Sequence, residues 1–109
     1  KETNRMIGSI KFEKLDEIKG EAELGYFLRK DFWGKGLMTE AVKELVYLSF
    51  EKFQLKELKI VTHVENAGSQ RVALKAGFRL FRQFKGSDRY TRKMRDYYDF
   101  RLGRGDFYE

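Results

Sequence analysis

Two glycines flank one lysine in the stretch DFWGKGLMTEA, where an alternating apolar pattern gives way to a helical one. Glycine adopts backbone conformations closed to other residues and lets a ligand approach the main chain. The first turn of a helix offers free N–H groups and the positive end of the helix dipole, so it favours anions. Gly34, Lys35 and Gly36 therefore indicate either an anion site, with Lys35 as a mobile cation, or a tight turn with packing glycines.

His63 is the sole histidine and stands in the alternating stretch IVTHV. Histidine exchanges protons near neutral pH, but a lone histidine on a strand is more often structural or solvated. The sequence assembles neither a Ser-His-Asp set nor a histidine-rich metal set around it. Since the chain contains no cysteine, disulfides, thiol chemistry and Cys-ligated metal are excluded as well.

The elements that position these residues follow from the spacing of apolar side chains. Alternation over Met6–Phe12 and again over EAELGYFL predicts a β-hairpin closed near Gly20. Apolar residues three and four apart then predict a helix of about four turns. Its predicted buried stripe consists of Met38, Ala41, Val42, Leu45, Val46, Ser49, Phe50 and Phe53.

The remaining elements complete a mixed α/β class in the order β-β-α-β-α-β-β. LKIVTHV predicts a strand, and NAGSQRVALKAGF predicts a helix that Asn66 caps and Gly77 ends. FRLFRQF predicts a further strand, and RDYYDFRL predicts the last one.

Length and composition bound the class of protein. A chain of 109 residues, 41% hydrophobic and 16% aromatic, suits one domain with its own core. A formal net charge of +6 favours anionic partners such as nucleic acid, an acidic membrane or a phosphate-bearing ligand. Finding neither a transmembrane run nor a signal peptide, we expect a cytoplasmic protein. The chain lacks an initiator Met, so we expect an upstream part of the protein to precede it.

Spacing separates the glycine turn from two known phosphate loops. Walker A requires four residues before its final Gly-Lys-Ser/Thr, and the Rossmann fingerprint has a third glycine where this chain has Thr39. Instead, ELGYFLRKDFWGKGLMTEAV followed by NAGSQRVALKAGF resembles the GNAT acyltransferase superfamily. Its acetyl-CoA loop reads Gln/Arg-x-x-Gly-x-Gly/Ala, and its later helix reads Asn-x-x-Ser/Ala followed by Gly-Phe. GKGLMTEA and GSQRVALKAGF are most similar to the Rim-type acetyltransferases, which modify ribosomal-protein N-termini, and the resemblance covers about residues 6–102.

The resemblance implies a mixed, mostly antiparallel twisted sheet, flanked by helices, that splays open to admit acetyl-CoA. Residues 1–109 would form a single GNAT-like domain whose first strand and first two helices lie upstream. The implied activity is metal-free N-acetylation, in which acetyl-CoA and a primary amine bind together and the amine attacks the thioester. The amine belongs to a protein N-terminus or a small molecule, and ribosome contact and a homodimer stay open.

By the same resemblance, individual residues receive roles. The glycine turn would hold the CoA pyrophosphate, the second strand and Asn66 would hold the pantetheine arm, Ser69 would protonate the departing thiolate, and Glu23 would deprotonate the amine. An N-cap, a helix-turn serine and a surface glutamate are the alternatives for these three side chains. The implied cofactor-binding set is Phe27, Leu28, Arg29, Trp33, Gly34, Lys35, Gly36, Leu37, Met38, Thr39 and Asn66, and the implied catalytic set is Glu23 and Ser69.

Two departures from the family pattern keep other functions open. Asp31 stands where Gln or Arg is usual and would repel phosphate unless turned away, and Ala73 stands where many members carry a tyrosine that protonates the thiolate. A CoA-binding fold without catalysis is one alternative. A nucleic-acid or ribosome-binding module is another, because basic and aromatic residues are interleaved toward the C-terminus. They are Arg79, Arg82, Lys85, Arg89, Arg92, Lys93 and Arg95 with Phe81, Phe84, Tyr90, Tyr97 and Tyr98.

Overall fold

The fold is a five-stranded sheet with the two longer helices on one face. A computed structural model describes residues 8–28, 34, 36–88 and 90–108. The elements are β1 (Gly8–Asp16), β2 (Glu21–Leu28), α1 (Leu37–Glu51), β3 (Glu57–His63), α2 (Ala67–Lys75), β4 (Arg79–Ser87), β5 (Met94–Gly103) and α3 (Arg104–Phe107). The predicted order β-β-α-β-α-β-β is confirmed, and α3 follows it as an additional short helix.

The strands lie in the order β1-β2-β3-β5-β4, and every pairing is antiparallel except that of β2 with β3. Strand β1 runs past Phe12, where its prediction ended, because Lys14 to Asp16 pair with β2 beyond a register shift. The hairpin closes at Gly20, whose φ of 72° is left-handed and whose N–H donates to the Asp16 carbonyl at 2.9 Å. The predicted hairpin is therefore confirmed and longer than expected.

Helix α1 covers the centre of the sheet with the stripe that the sequence predicts. Met38, Val42, Val46 and Phe50 are buried against Ala22, Leu24, Leu58, Ile60, Phe100 and Leu102 of the strands. The predicted stripe is wrong at Phe53, which is 59% exposed because the helix ends at Glu51.

Helix α2 begins and ends at the residues predicted for it. The Asn66 side chain accepts a hydrogen bond from the Ser69 N–H at 3.0 Å, which is an N-cap. Gly77 follows the last turn with a φ of 99°, the left-handed conformation that commonly ends a helix. The first-turn geometry of α2 is thus fixed by a side chain, and Ala73 in its second turn is fully buried.

The short helix α3 has no periodic pattern, so the sequence does not predict it. The Arg104 guanidinium donates to the Phe50 carbonyl near the end of α1, and the Phe107 ring packs on Phe50 with centroids 5.1 Å apart. The contacts that hold α3 are therefore tertiary. No helix in the described part of the chain is long and apolar enough to cross a membrane.

The sheet face opposite α1 is built from charged pairs. Asp99 is fully buried there and accepts hydrogen bonds from Arg82 at 3.1 Å and from Arg101 at 3.0 Å. Burial opposes ionisation of Asp99, but the Arg101 and Arg82 guanidiniums outweigh it and hold the pKa of the carboxyl below its usual range. Arg101 also reaches Glu57 at 3.3 Å, so this network joins β3, β4 and β5.

Replacing Phe50 by alanine tests whether α1 carries the core. Phe50 is fully buried, so Phe50→Ala is expected to lower the free energy of unfolding by about 3–5 kcal/mol. Phe53→Ala is the matched control, and its exposed ring, edge-on to Phe12, should cost about 1 kcal/mol. Urea denaturation of the full-length gene product measures both losses, and equal losses would contradict this account of the core.

Candidate functional site

The candidate site is the gap that opens between two parallel strands, which we call the cleft. Strands β2 and β3 pair from Glu21 and Glu57 to Leu24 and Ile60. Beyond this point β2 continues to Leu28 and β3 to His63 without pairing to each other. The cleft lies between residues 25–28 of β2 and 61–63 of β3. Both strands end here, and ligands of α/β sheets bind outside the carboxyl ends of strands.

The β2 side of the cleft presents backbone rather than side chains. Residues Gly25 to Leu28 pair with β1 on one edge, and no described strand pairs with them on the other. Alternate residues of a strand direct their N–H and C=O groups to the same edge, so part of this main chain faces the cleft. Two of the predicted pantetheine-binding residues, Phe27 and Leu28, lie on this segment. The third, Arg29, lies outside the described residues.

The glycine turn lies at the start of α1, beyond the end of β2. Gly34 and Gly36 have φ angles of 78° and 75°, and an added Cβ would meet no atom within 4 Å at either position. The backbone conformation therefore explains both glycines, and close packing does not, so a tight turn with or without a bound anion is consistent with them. The other residues of the predicted turn, Trp33 and Lys35, lie outside the described residues, as does Asp31.

Helix α1 begins without the side-chain cap that α2 has. Gly36 occupies the N-cap position of α1, no side chain caps the helix within the described residues, and the Gly36 carbonyl accepts from the Glu40 N–H at 3.0 Å. The N–H groups of Leu37, Met38 and Thr39 form the first turn and have no acceptor within a regular helix. These free donors and the helix dipole favour an anion at this end.

On the other side of the cleft, the first turn of α2 carries Asn66 and Ser69. Asn66 accepts from the Ser69 N–H, and the Tyr26 hydroxyl donates to the Ser69 carbonyl at 2.9 Å. Tyr26 comes from the part of β2 that no longer pairs with β3, and α2 follows β3, so this hydrogen bond links the two sides of the cleft. Burial raises the pKa of Tyr26 to about 12, with an interaction with the Ser69 side chain acting in the opposite direction. Sequence reasoning missed Tyr26, although its alternation with Leu24 places it on the helix side.

The predicted catalytic pair is not brought together. Glu23 lies on the open face, level with Lys14 of β1 and Lys59 of β3, and these residues line a pocket of about 230 Å³. This position precedes the cleft, whereas Ser69 lies on the helix side of the sheet. A second carboxylate, Glu13, lies over Gly25 at the point where the strands part. Sequence reasoning missed Glu13 because the register shift in β1 that places it there has no sequence signal.

His63 has the surroundings of a structural residue. Its ring stacks on Tyr97 with centroids 4.6 Å apart, and its Nε2 lies 3.3 Å from the Asp88 carboxylate. Backbone N–H groups of Thr91 and Tyr90, and then His63, lower the pKa of Asp88 although burial opposes them. His63 Nδ1 is buried and has no hydrogen-bond partner among the described residues. No group of three or more potential metal ligands occurs within residues 8–28, 34, 36–88 and 90–108.

Intramolecular contacts engage much of the basic and aromatic segment. Arg82, Lys85 and Arg95 form ion pairs with Asp99, Asp96 and Glu65 at 3.0–3.1 Å. The Phe84 and Tyr97 rings stack on each other with centroids 5.4 Å apart. Arg89 lies outside the described residues. These pairings leave fewer cations and rings to contact phosphates and bases than the sequence suggests.

Known proteins resemble this chain in sequence and in fold. Residues 1–79 match the family described as Acetyltransferase (GNAT) domain. The chain is 30% identical over 102 residues to the uncharacterized N-acetyltransferase p20 of Bacillus licheniformis, covering 94% of this chain and 57% of that protein. It is 31% identical over 75 residues to the ribosomal-protein-serine acetyltransferase of Escherichia coli (strain K12), covering 69% of this chain and 42% of that protein.

A solved structure has the same fold. The Microcin C7 self immunity acetyltransferase MccE, in complex with acetyl-CoA and AMP, superposes with a TM-score of 0.81 at 25% identity. The match covers 91% of this chain and 55% of that one. The mixed sheet flanked by helices is therefore confirmed as GNAT-like. The chain spans about half the length of the relatives it matches.

The buried Tyr26 hydroxyl predicts a loss of stability in strong alkali. Its pKa is about 12 in the folded protein against 10.0 in the unfolded chain, so the folded state retains the proton between these values. The stabilisation is complete below pH 10 and is lost as the pH rises to 12, by at most about 2–3 kcal/mol. The free energy of unfolding from urea titrations should fall less steeply over this range in Tyr26→Phe than in the parent. The control Tyr98→Phe should keep the parental slope, and identical slopes in all three proteins would contradict the assignment.

Proposed function

Because this chain belongs to the GNAT acetyltransferase family, we propose that its protein binds acetyl-CoA in the cleft and transfers the acetyl group to a primary amine. The observation that carries the proposal is the pair of left-handed glycines beyond the end of β2, which open a helix with no side-chain cap among the described residues. A strand, a glycine turn and a helix start together offer several N–H donors to a diphosphate without a metal. The pyrophosphate of CoA is a ligand of this kind.

The pantetheine arm then extends from the glycine turn into the cleft. The free edge of β2 at Phe27 and Leu28 offers N–H and C=O groups to the amides of the arm, as a neighbouring strand would. A backbone N–H of the same edge polarises the thioester carbonyl. Asn66 at the start of α2 steadies the arm from the opposite side. Arg29, Trp33 and Lys35 are also proposed to bind CoA, and their roles rest only on the resemblance to the family.

The reaction is direct transfer in a ternary complex. The amine nitrogen forms a bond to the thioester carbon, backbone N–H groups hold the resulting oxyanion, and the C–S bond breaks. The thiolate leaves with a proton from the Ser69 hydroxyl, which water resupplies. Glu23 takes the proton of the acceptor ammonium. Its Cα lies four residues, or about 13 Å, from that of Phe27 along β2, so a water relay carries this proton.

We further propose that the acceptor is the N-terminal amine of a ribosomal protein. This is supported by a matched relative that is named a ribosomal-protein-serine acetyltransferase. A small-molecule amine is the competing acceptor. Nucleic-acid binding is not favoured as the primary function, because Arg82, Lys85 and Arg95 are paired with carboxylates.

Gly36→Ala tests the pyrophosphate site against a matched glycine elsewhere. Gly36 and Gly77 both have positive φ and open space around a Cβ, so alanine should destabilise either helix end by about 1 kcal/mol. Only Gly36→Ala should weaken CoA binding, by about tenfold, because it alters the turn that presents the N–H donors. Calorimetric titration of CoA into the full-length gene product measures the affinity. Equal CoA affinities of the Gly36→Ala and Gly77→Ala proteins would show that the phosphates do not bind at this turn.

Turnover tests the two proposed proton-transfer residues. Glu23→Gln is expected to lower kcat/KM by about 100-fold, and Ser69→Ala should lower kcat by about tenfold, because each removes a proton-transfer group. The probe reaction is release of CoA thiol from acetyl-CoA in the presence of N-terminal peptides of ribosomal proteins. Glu21→Gln, on the same strand face, should stay within twofold of the parent. Parental rates in both variants would refute these roles while leaving the family assignment intact.

A further inference from the structure

Within the described residues, a side-chain hydrogen bond connects β2 with α2, the helix that follows β3. Tyr26 lies on β2 two residues past Leu24, the last residue that pairs with β3. Its hydroxyl donates to the Ser69 carbonyl of α2 at 2.9 Å, across 43 positions of sequence. The hydrogen bond therefore joins the strand and the helix at the level where the sheet itself no longer does.

The Tyr26 hydroxyl is held as a donor. The Ser69 carbonyl can only accept, so the phenol must keep its proton to make this hydrogen bond. Burial raises the pKa of Tyr26 to about 12 although the Ser69 side chain opposes it, so the phenol keeps its proton at neutral pH. The hydrogen bond to the Ser69 carbonyl consequently persists there.

Hydrogen bonds fix the backbone of Ser69, the residue of α2 that Tyr26 contacts. The Ser69 N–H is bound by the Asn66 side chain, and its carbonyl is bound by Tyr26. Helix geometry places the Ala73 N–H on the same carbonyl. Both polar groups of the Ser69 backbone thus have fixed directions, and with them the position of the Ser69 Cβ.

The small residue at position 73 leaves room for this arrangement. Ala73 is fully buried and belongs to the core cluster on which the Tyr26 ring packs. Helix side chains lean toward the N-terminus, so a large ring at position 73 would extend over the turn that Tyr26 contacts. In this chain the aromatic ring at this contact belongs to Tyr26 of β2, and α2 contributes only the methyl group of Ala73.

We propose that Tyr26 is a positioning residue that sets the width of the cleft and the orientation of Asn66 and Ser69 toward the pantetheine arm. This inference rests on the proposed function, because it presumes that the arm lies in the cleft. Tyr26 acts through the backbone of Ser69 and touches neither the phosphates nor the acceptor. Its contribution should therefore be confined to ligands that enter the cleft.

The test compares two ligands that share the adenosine, its 3′-phosphate and the 5′-phosphate next to it. Acetyl-CoA carries in addition the second phosphate of the pyrophosphate and the pantetheine arm, and adenosine 3′,5′-bisphosphate lacks both. The full-length gene product and its Tyr26→Phe variant are titrated with each ligand by calorimetry. Tyr26→Phe keeps the ring and removes one hydrogen bond, so it should weaken acetyl-CoA binding about threefold to tenfold and leave the bisphosphate affinity within twofold. Tyr98→Phe, which alters a half-buried tyrosine of β5, should change neither affinity.

Hydrogen exchange gives a second, independent measurement. Tyr26→Phe should speed amide exchange in the first two turns of α2 and leave α1 at the parental rate. Unchanged affinity for acetyl-CoA in Tyr26→Phe, equal weakening of both ligands, or unchanged exchange in α2 would each overturn the positioning role. A parent protein that binds neither ligand would instead overturn the proposed function beneath it, so the two failures are distinguishable.

Discussion

The parallel pairing of β2 with β3 is limited to four residue pairs, and the arrangement of the candidate site depends on this limit. Had the two strands remained paired to their ends, the backbone groups of residues 25–28 would be consumed in the sheet. Because they part, β2 retains a free polar edge beside the starts of α1 and α2. The same geometry directs both helix N-termini to one end of the sheet, where α1 has no side-chain cap among the described residues and Asn66 caps α2. The candidate site therefore consists mainly of backbone N–H and C=O groups and not of a cluster of reactive side chains.

The two faces of the sheet keep this opening in place by different physics. On the helix side, fully buried Val42, Val46 and Phe50 hold α1 to the strands through apolar burial. On the open side, the buried Asp99 is held by two guanidiniums, and loss of either would leave a charge poorly compensated. Apolar burial has little directionality, and it ensures that α1 packs on the sheet. The second is directional and fixes the register of β3, β4 and β5, on which the position of His63 and the start of α2 depend.

Sequence patterns predict the structural features that depend on residues close together in the chain. The order of elements, the α1 stripe, the Asn66 cap and the left-handed Gly36 and Gly77 follow from periodicity and from conformations that favour glycine. Phe53 and α3 escape prediction, since the end of α1 and a one-turn helix are set by tertiary contacts such as Phe50 with Phe107. The pairing of Tyr26 with Ser69 joins residues 43 positions apart, and no periodicity reports such a contact. The resemblance supplies Glu23 and Ser69 together, whereas the sheet places them on opposite faces, and that separation depends on strand register.

A site made chiefly of backbone tolerates side-chain change but is sensitive to geometry. Ala73 in place of a tyrosine does not alter the N–H groups that the strand and the helix present. What the chain must conserve physically is the separation of the cleft walls, because hydrogen bonds weaken steeply once distance and angle depart from their optimum. Packing alone defines that separation loosely, since α2 is short and rests on the sheet through one fully buried side chain, Ala73. A hydrogen bond between the walls specifies it in both distance and direction, and a tyrosine is suited to this task because its rigid ring carries the hydroxyl across with few rotatable bonds.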